Sequence, residues 1–216
     1  MLVHTEAGND RVTVTARNGV RALLGDGDDA FFGRSETDVV LAGYFDDGPV
    51  DTGVDTIHTG AGPDYVRSDG GDDTISLGKG ADDLEWGPST SAADGGRGRD
   101  RLSLDARSAN SVLDNRTGTL AADGQVVSRW ASFADFLVGG GVTLVLGGRE
   151  DEVFDTGISY LRVTGPWTVR AGGGDDVIRG TAGNDILLGG PGHDEADGRR
   201  GDDRCAAERR ERCESR

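Results

Sequence analysis

Apolar and polar positions recur with a nine-residue period near the end of this chain. Residues 171–205 divide into four consecutive blocks, which read AGGGDDVIR, GTAGNDILL, GGPGHDEAD and GRRGDDRC. If the places of a block are numbered from one to nine, Gly holds the fourth place, Asp the sixth, and an apolar or small residue the eighth. A short fixed period of this kind predicts a solenoid, in which each repeat packs against its neighbours.

The same phase governs much of the first half of the chain. Asp55, Asp64, Asp73 and Asp82 stand nine residues apart, and each is followed two residues later by an apolar residue. Residues 86–94 form a block without aspartate at its sixth place, and Asp100 then restores the motif eighteen residues after Asp82. Because the phase survives the degenerate block, we expect one continuous coil across it.

Less regular copies precede this run. Asp29 lies in a clear repeat, Asp38 follows nine residues later with fewer glycines, and Asp10 is the least regular member. Residues 42–54 then slip the phase by one residue. We expect an irregular turn in that segment.

The middle of the chain, residues 103–170, lacks the Asp and Gly turns. Asp123-Gly124 stands between two short apolar runs, which predicts a tight hairpin turn. An inward-facing ladder can still be traced through Phe136, Leu144, Val153, Leu161, Val169 and Ile178. This ladder favours a solenoid that continues with metal-free turns and carries a hairpin near residues 112–128. The alternative is a small separate β-module between two rolls.

The blocks of residues 171–205 resemble the RTX nonapeptide G-G-x-G-x-D-x-U-x, the calcium-binding repeat of hemolysin-type secreted proteins. The resemblance implies a tight turn over the first six places, a short strand over the last three, and eighteen residues per coil. The predicted fold is therefore all-β: a right-handed parallel β-roll or β-helix solenoid of nonapeptide repeats, with a metal-poor middle segment and a short C-terminal cap. The predicted divisions are an N-terminal calcium β-roll (1–103), the metal-poor segment with its hairpin (104–170), a C-terminal calcium β-roll (171–205) and the cap (206–216).

The resemblance also implies calcium ions between turns that stack on the same side of the roll. Calcium takes six to eight oxygen ligands from carboxylates and backbone carbonyls, which are the groups that Gly- and Asp-rich turns present. The predicted bridging pairs are Asp55 with Asp73, Asp64 with Asp82, Asp82 with Asp100, Asp176 with Asp194, and Asp185 with Asp203. The full set of predicted ligands is Asp29, Asp38, Asp55, Asp64, Asp73, Asp82, Asp100, Asp176, Asp185, Asp194 and Asp203.

Stacked carboxylates are unfavourable without a cation. Two carboxylates about 4 Å apart repel by about 4 kcal/mol at an effective dielectric constant of 20. A thin solenoid core cannot easily offset several such pairs, because net folding stabilities are only about 5–15 kcal/mol. We therefore expect calcium binding and folding of the repeats to be one event.

The last segment contains the two cysteines of the chain, Cys205 and Cys213. In a secreted repeat protein this pair predicts a disulfide bond across the cap, and two free thiols are the alternative. Residues 206–216 are highly charged, and we expect a short helix there that covers the last coil.

Composition limits the classes of partner. The chain of 216 residues has a formal net charge of −16, with 39 acidic and 23 basic residues, which disfavours nucleic acid and anionic membranes. Lys79 is the one lysine, a bias typical of GC-rich bacterial genes. No apolar run approaches the roughly 20 residues of a membrane span. Residues 1–10 lack the basic and apolar regions of a signal peptide, so we expect a secreted protein whose leader is absent from this sequence.

The sequence therefore predicts an extracellular, monomeric calcium-binding protein with a structural or secretion-associated role and no catalytic activity. One alternative is a module that binds a cell-surface or extracellular polysaccharide, or ice. Another is a polysaccharide-acting enzyme on a β-helix scaffold. Trp86, Trp130 and Trp167 either form sugar-stacking platforms or pack at coil edges.

Overall fold

The computed structural model describes residues 1–15, 17–43, 52–68, 70–87, 91–156, 163 and 165–214, apart from the side chains of residues 107–109. Within these residues the chain forms 21 β-strands and no helix. Most of the strands are only three to six residues long, as expected when each nine-residue block contributes one strand.

The strands follow one another closely along the chain. The first ten are β1 Leu2–His4, β2 Arg11–Thr13, β3 Arg21–Leu23, β4 Ala30–Phe32, β5 Val39–Ala42, β6 Thr56–Ala61, β7 Tyr65–Ser68, β8 Thr74–Lys79, β9 Asp83–Trp86 and β10 Ala92–Arg97. The others are β11 Arg101–Asp114, β12 Thr119–Ala122, β13 Gln125–Ala131, β14 Asp135–Leu146, β15 Val153–Asp155, β16 Thr168–Arg170, β17 Val177–Arg179, β18 Ile186–Leu188, β19 Glu195–Asp197, β20 Arg204–Ala206 and β21 Arg209–Glu211.

Strands two apart in the chain pair in parallel and in register. Ile57 of β6 lies opposite Ile75 of β8, and β5, β7 and β9 pair with one another in the same way. The even and odd strands thus form the two walls of a coil, and one coil contains two blocks. This arrangement confirms the predicted parallel β-roll.

The core is a thin ladder of eighth-place side chains between the two walls. Successive residues of a strand point to opposite faces, so the eighth place faces inward and its neighbours face outward. The buried residues at this place are Val12, Ala22, Phe31, Val40, Ile57, Val66, Ile75, Leu84, Ala93, Leu102, Ile178, Leu187 and Ala196.

The chain divides into two compact units. Unit 1 contains Met1–Leu102 and Val127–Phe133, and unit 2 contains Ser103–Val126 and Ala134–Arg216. In unit 1 the wall of even strands ends with β13, where Trp130 lies opposite Ala93 of β10. In unit 2 the long strand β14 pairs in parallel with β15 near its start and with β16 near its end, so it contributes to both walls.

The predicted hairpin is confirmed. β11 pairs with β12 in antiparallel fashion, and Asp123 and Gly124 connect β12 to β13. Both turn residues have positive φ angles, 49° and 78°. This is the backbone of a tight hairpin turn, which Asp-Gly adopts readily.

The inward ladder predicted for the middle segment is wrong by one residue at two positions. Val145 and Phe154 are fully buried, whereas Leu144 and Val153 are only half-buried. A shift of one residue in a strand moves a side chain to the opposite face, so the error reverses which residues face the core. Phe136 and Phe154 stack with their ring centroids 5.4 Å apart. The predicted ladder position Leu161 lies outside the described residues.

The C-terminal cap differs from the expected helix. β21 pairs in parallel with β19, where Arg210 lies opposite Ala196. The edge of a sheet offers unpaired backbone groups, and a strand can satisfy them where a helix cannot. The predicted disulfide between Cys205 and Cys213 is confirmed, with the two Cα atoms 5.8 Å apart.

Candidate metal centre

The sixth-place residues of successive coils stack into four columns. Column 1 contains Asp10, Asp29, Asp55, Asp73 and Ser91. Column 2 contains Val20, Asp38, Asp64, Asp82 and Asp100. Column 3 contains Glu152, Asp176, Asp194 and Glu208, and column 4 contains Trp167, Asp185 and Asp203.

One carboxylate oxygen of each column aspartate from Asp29 onward joins two coils. The backbone N–H of Asp55 donates to Oδ1 of Asp73 at 2.9 Å, and the N–H of Asp176 donates to Oδ1 of Asp194 at 3.0 Å. The carbonyl of Asp176 accepts in turn from the N–H of Glu195 at 2.8 Å. The side-chain oxygen therefore takes the place that a strand carbonyl holds in an ordinary parallel ladder.

Each of the five predicted pairs of aspartates is brought together by such a bond. These bonds join Asp55 to Asp73, Asp64 to Asp82, Asp82 to Asp100, Asp176 to Asp194, and Asp185 to Asp203. The same bond also links Asp29 to Asp55 and Asp38 to Asp64, which are 26 residues apart. That coil is eight residues longer than the regular eighteen, and its 26 residues are one fewer than three blocks of nine, which agrees with the predicted one-residue slip of phase. The irregular turn predicted within residues 42–54 lies mostly outside the described residues.

The other carboxylate oxygen, Oδ2, is buried without a hydrogen-bond donor from the described residues at several of these aspartates. They include Asp82, Asp176, Asp194 and Asp203. None of these four residues is more than 2% exposed. Burial of a charged group without a partner is costly, so these oxygens call for a proton or a cation.

Burial affects the protonation of these carboxyls. It raises the pKa of Asp64 and of Asp176 to about 6, and the carboxylates of Asp82 and Asp194, respectively, act in the same direction. Burial also raises the pKa values of Asp38, Asp82 and Asp203. Loss of water is thus the largest influence on the pKa values of these groups.

Glycine at the first place leaves room beside Oδ2. A Cβ atom at Gly33 would lie 2.3 Å from Oδ2 of Asp38, and one at Gly189 would lie 2.1 Å from Oδ2 of Asp194. Gly190 is also required by backbone geometry, since its φ is 120° and a Cβ there would lie 2.0 Å from the carbonyl oxygen of Gly172. The glycines of the repeat thus permit close stacking of the turns.

The residues present fit a calcium ion. Calcium is a hard cation that binds carboxylate and carbonyl oxygens. In the described part of the chain no group of three or more His, Cys, Asp or Glu side chains converges on one point. An ion held by two stacked aspartates would therefore take its remaining ligands from backbone carbonyls of the turns.

Besides the bond between coils, Asp64 interacts with the Thr59 side chain of its own block, and two other predicted ligands accept hydrogen bonds from within their blocks. Oδ2 of Asp73 accepts a hydrogen bond from the hydroxyl of Ser68. Oδ2 of Asp185 accepts from the N–H of Thr181 at 2.6 Å, and its Oδ1 accepts from the Thr181 hydroxyl at 2.9 Å. These two carboxylates therefore differ from those whose Oδ2 has no donor.

Sequence reasoning missed Glu152, which holds the sixth place at the start of column 3. Its N–H donates to Oδ1 of Asp176 at 2.9 Å. Its carboxylate accepts from the amide of Asn115 at 2.7 Å and from the N–H of Gly148 at 2.8 Å, so it is satisfied within the protein. The signal was present: Gly147-Gly148 and Phe154 occupy the first, second and eighth places of a block.

Two further column members were also missed. The hydroxyl oxygen of Ser91 accepts from the N–H of Asp73 at 2.8 Å, and Oε2 of Glu208 accepts from the N–H of Asp194 at 2.9 Å. Ser91 was detectable because it fills the sixth place of the degenerate block. Glu208 was not, because it follows Asp194 by 14 residues instead of eighteen.

The tryptophans do not form sugar-stacking platforms. Trp86, Trp130 and Trp167 are all buried, with no more than 6% of any of them exposed. Trp167 fills the sixth place of column 4, where its backbone N–H donates to Oδ1 of Asp185 at 2.6 Å. Of the two predicted roles, packing within the coils is therefore the correct one for these tryptophans.

The fold and the columns define a β-roll protein with stacked carboxylates in its turns. The family model for the RTX calcium-binding nonapeptide repeat matches residues 50–84 and 170–205, in four copies. The match confirms the resemblance drawn from the sequence: these two segments consist of RTX repeats, which bind several calcium ions. The protein is thus a calcium-binding repeat protein. A search of curated proteins found no match to this chain.

No helix of the described residues is long and apolar enough to span a membrane.

Proposed function

We propose that the sixth-place aspartates of the four columns hold calcium ions between stacked turns. The proposed ligands are Asp29, Asp38, Asp55, Asp64, Asp73, Asp82, Asp100, Asp176, Asp185, Asp194 and Asp203. The observation that carries the proposal is the buried Oδ2 atom that lacks a donor from the described residues at Asp82, Asp176, Asp194 and Asp203. A bound cation would supply the missing partner at each of them.

We further propose that calcium binding drives the folding of the repeats. The buried carboxylates oppose folding while they are charged and unpaired, and each bound ion removes part of that cost. A ligand that binds only the folded state stabilises it by RT ln(1 + [L]/Kd) per site, so several sites act together. The eighth-place ladder buries too little apolar surface to stabilise the fold without the free energy of calcium binding.

The proposed setting is extracellular. Calcium sites of extracellular modules have dissociation constants of about 10⁻⁴ to 10⁻³ M, so the repeats would stay loose inside the cell and fold outside it. The disulfide between Cys205 and Cys213 supports an oxidising compartment. The proposed role is structural or associated with secretion, without catalysis.

We also propose that the protein is a monomer. The last strand, β21, consists of Arg209, Arg210 and Glu211, and all three are exposed. Charged side chains on an edge strand disfavour pairing with another sheet.

The test compares Asp176→Asn with Asp175→Asn. Both substitutions remove one carboxylate from neighbouring residues, but Asp176 is buried in column 3 whereas the side chain of Asp175 is 61% exposed. An asparagine at position 176 keeps an Oδ1 acceptor for the N–H of Glu152, so it removes the charge and preserves the contact between coils. Folding is followed by far-UV circular dichroism during calcium titration.

The proposal predicts that Asp176→Asn needs severalfold more calcium to fold, while Asp175→Asn behaves like the wild type. In a chelator, Asp176→Asn should be at least as stable as the wild type, because the variant no longer buries a charge. An unchanged calcium requirement in Asp176→Asn would refute the assignment of column 3 as a calcium site.

A further inference from the structure

Hydroxyl groups stand beside several column carboxylates. The Thr59 hydroxyl lies beside Asp64 but donates to the carbonyl of Leu77 at 2.7 Å, whereas two others donate to a carboxylate. Ser68 holds the first place of the block that contains Asp73, and Thr181 holds the second place of the block that contains Asp185. Both hydroxyls are buried, since Ser68 is fully buried and Thr181 is 5% exposed. Each donates to the carboxylate of its own block.

A hydroxyl and a cation compete for the same oxygen atoms. A carboxylate that already accepts a hydrogen bond must lose or rearrange that bond to coordinate an ion, and charge-assisted bonds are among the stronger ones. At Asp185 the competition involves both oxygens, because Thr181 contacts Oδ1 at 2.9 Å and Oδ2 at 2.6 Å through its hydroxyl and its N–H.

The side chain of Ser68 also occupies space. In the blocks of Asp194 and Asp203 the first place is glycine, and a Cβ there would lie 2.1 Å from Oδ2 of Asp194 or 2.4 Å from Oδ2 of Asp203. A first-place side chain is thus close to Oδ2, but Leu77 and Ala171, which hold this place before Asp82 and Asp176, have no donor to offer. Ser68 has one, and its hydroxyl donates to Asp73.

We infer that Ser68 and Thr181 weaken calcium binding at Asp73 and Asp185 by taking the place of the ion. This inference rests on the proposed function, and it divides the turns into two classes. Open turns, such as those of Asp82, Asp176 and Asp194, need calcium to neutralise a buried oxygen. Hydroxyl-bonded turns, which are found in both units, stay assembled with less calcium and serve as starting points for the calcium-driven folding of their neighbours.

The test is equilibrium dialysis of the full chain against buffered free calcium, with bound calcium counted by atomic emission. Ser68→Gly and Thr181→Gly should each shift one site to tighter binding, by about tenfold for the loss of a hydrogen bond to a charged group. The wild type should show a weak class of sites that shrinks by one ion in each variant. Circular dichroism of the same samples reports that each variant is folded.

Controls separate the hydroxyl from the effects of glycine. Thr5 is also a first-place hydroxyl residue, but it donates to the carbonyls of Leu23 and Leu24, so Thr5→Gly should leave the isotherm unchanged. Thr181→Ser keeps the donor and should behave as the wild type. Ser68→Ala removes the hydroxyl and keeps Cβ, so it serves if Ser68→Gly does not fold.

The outcomes are distinct. Tighter binding in Ser68→Gly or Ser68→Ala and in Thr181→Gly, with Thr5→Gly and Thr181→Ser unchanged, supports the inference. If the wild type binds calcium and all variants give the same isotherm, the inference is overturned and the proposed function still stands. The same holds if Thr5→Gly gains as much calcium affinity as the other glycine variants. A wild-type chain that binds no calcium overturns both.

Discussion

The disulfide of the C-terminal cap gives a prediction with a magnitude that follows from the structure. Cys205 lies opposite Leu187 in the wall of β18 and β20, and Sγ of Cys213 is 3.9 Å from the carbonyl oxygen of Ala196. The disulfide thus lies at the last coil, next to the eighth-place residues Leu187 and Ala196. It also fixes the loop that carries Glu208 to the N–H of Asp194.

The size of the effect comes from the length of the closed loop. The two cysteines are separated by eight residues. The loop-entropy relation gives about 2.5 kcal/mol at 25 °C for a loop of that length. Because a small domain is stable by only about 5–15 kcal/mol, removal of the bond should be easy to detect.

The assay is urea unfolding in saturating calcium, followed by far-UV circular dichroism. The perturbation is the double substitution Cys205→Ala/Cys213→Ala, since Ala196 shows that alanine is accepted at an eighth place. Oxidised wild type, wild type in reductant, and the double variant with and without reductant are compared. The free energy of unfolding of unit 2 should fall by about 2.5 kcal/mol both in the reduced wild type and in the variant.

The comparison with reductant isolates the covalent bond. The reduced wild type keeps both sulfur atoms, so a loss shared with the variant is due to the cross-link and not to packing. The variant itself should not respond to reductant. Equal unfolding free energies of the oxidised wild type and the variant would refute the reasoning, as would an equal response of both to reductant.

Three further predictions concern the core, the turns and pH. Phe154→Ala removes a fully buried ring and should cost about 3–5 kcal/mol in urea unfolding with calcium present. Gly190→Ala should destabilise the roll by more than about 1 kcal/mol in the same assay, because the φ of 120° and the carbonyl oxygen of Gly172 exclude a Cβ atom at this position. An unchanged urea midpoint of unfolding would contradict the stacking of these turns. In chelator, the stability that Asp64 and Asp176 contribute should be fully present below about pH 3.8 and lost as pH rises through about 6, because burial raises their pKa values in the folded state. In calcium the stability should instead rise with pH, because protons compete with the ion for the carboxylates. Thermal unfolding that changes in the same direction with pH in both conditions would contradict the assignment.

Much of the fold and of the candidate site follows from the nine-residue period. The phase that joins Asp176 to Asp194 is visible in the sequence because every coil there has the same length. Stacking depends on that equality, so the predicted pairs of aspartates are found where the period is regular. The hairpin at Asp123-Gly124 was also predictable, because the turn type depends on local residues alone.

The errors occur where coil length changes or where a distant strand decides the local conformation. Glu152 and Asp176 are joined across 24 residues, so a search for steps of eight or nine placed Leu144 and Val153 inward by mistake. The charged cap was expected to be a helix, but pairing of β21 with β19 and the bond between Cys205 and Cys213 hold it extended. The disulfide was predicted from the sequence, but the pairing of β21 with β19 is not encoded in the local sequence pattern.

The donors of the column carboxylates were beyond sequence reasoning for a different reason. Ser68 and Thr181 stand at different places of their blocks, and only the three-dimensional turn shows that both hydroxyls reach a sixth-place carboxylate. That Oδ2 of Asp176 has no donor among the described residues is likewise a property of the folded turn.

The central claim is that calcium completes the carboxylate columns and thereby folds the roll. Its most direct test is a calcium titration of the full chain followed by far-UV circular dichroism, with magnesium as the control ion. Magnesium demands a smaller, near-octahedral shell and retains its water, so it should not replace calcium between the turns. The account predicts a cooperative gain of β-structure at sub-millimolar to millimolar calcium and none with magnesium. A chain that is already β-rich in chelator and unchanged by calcium would contradict it.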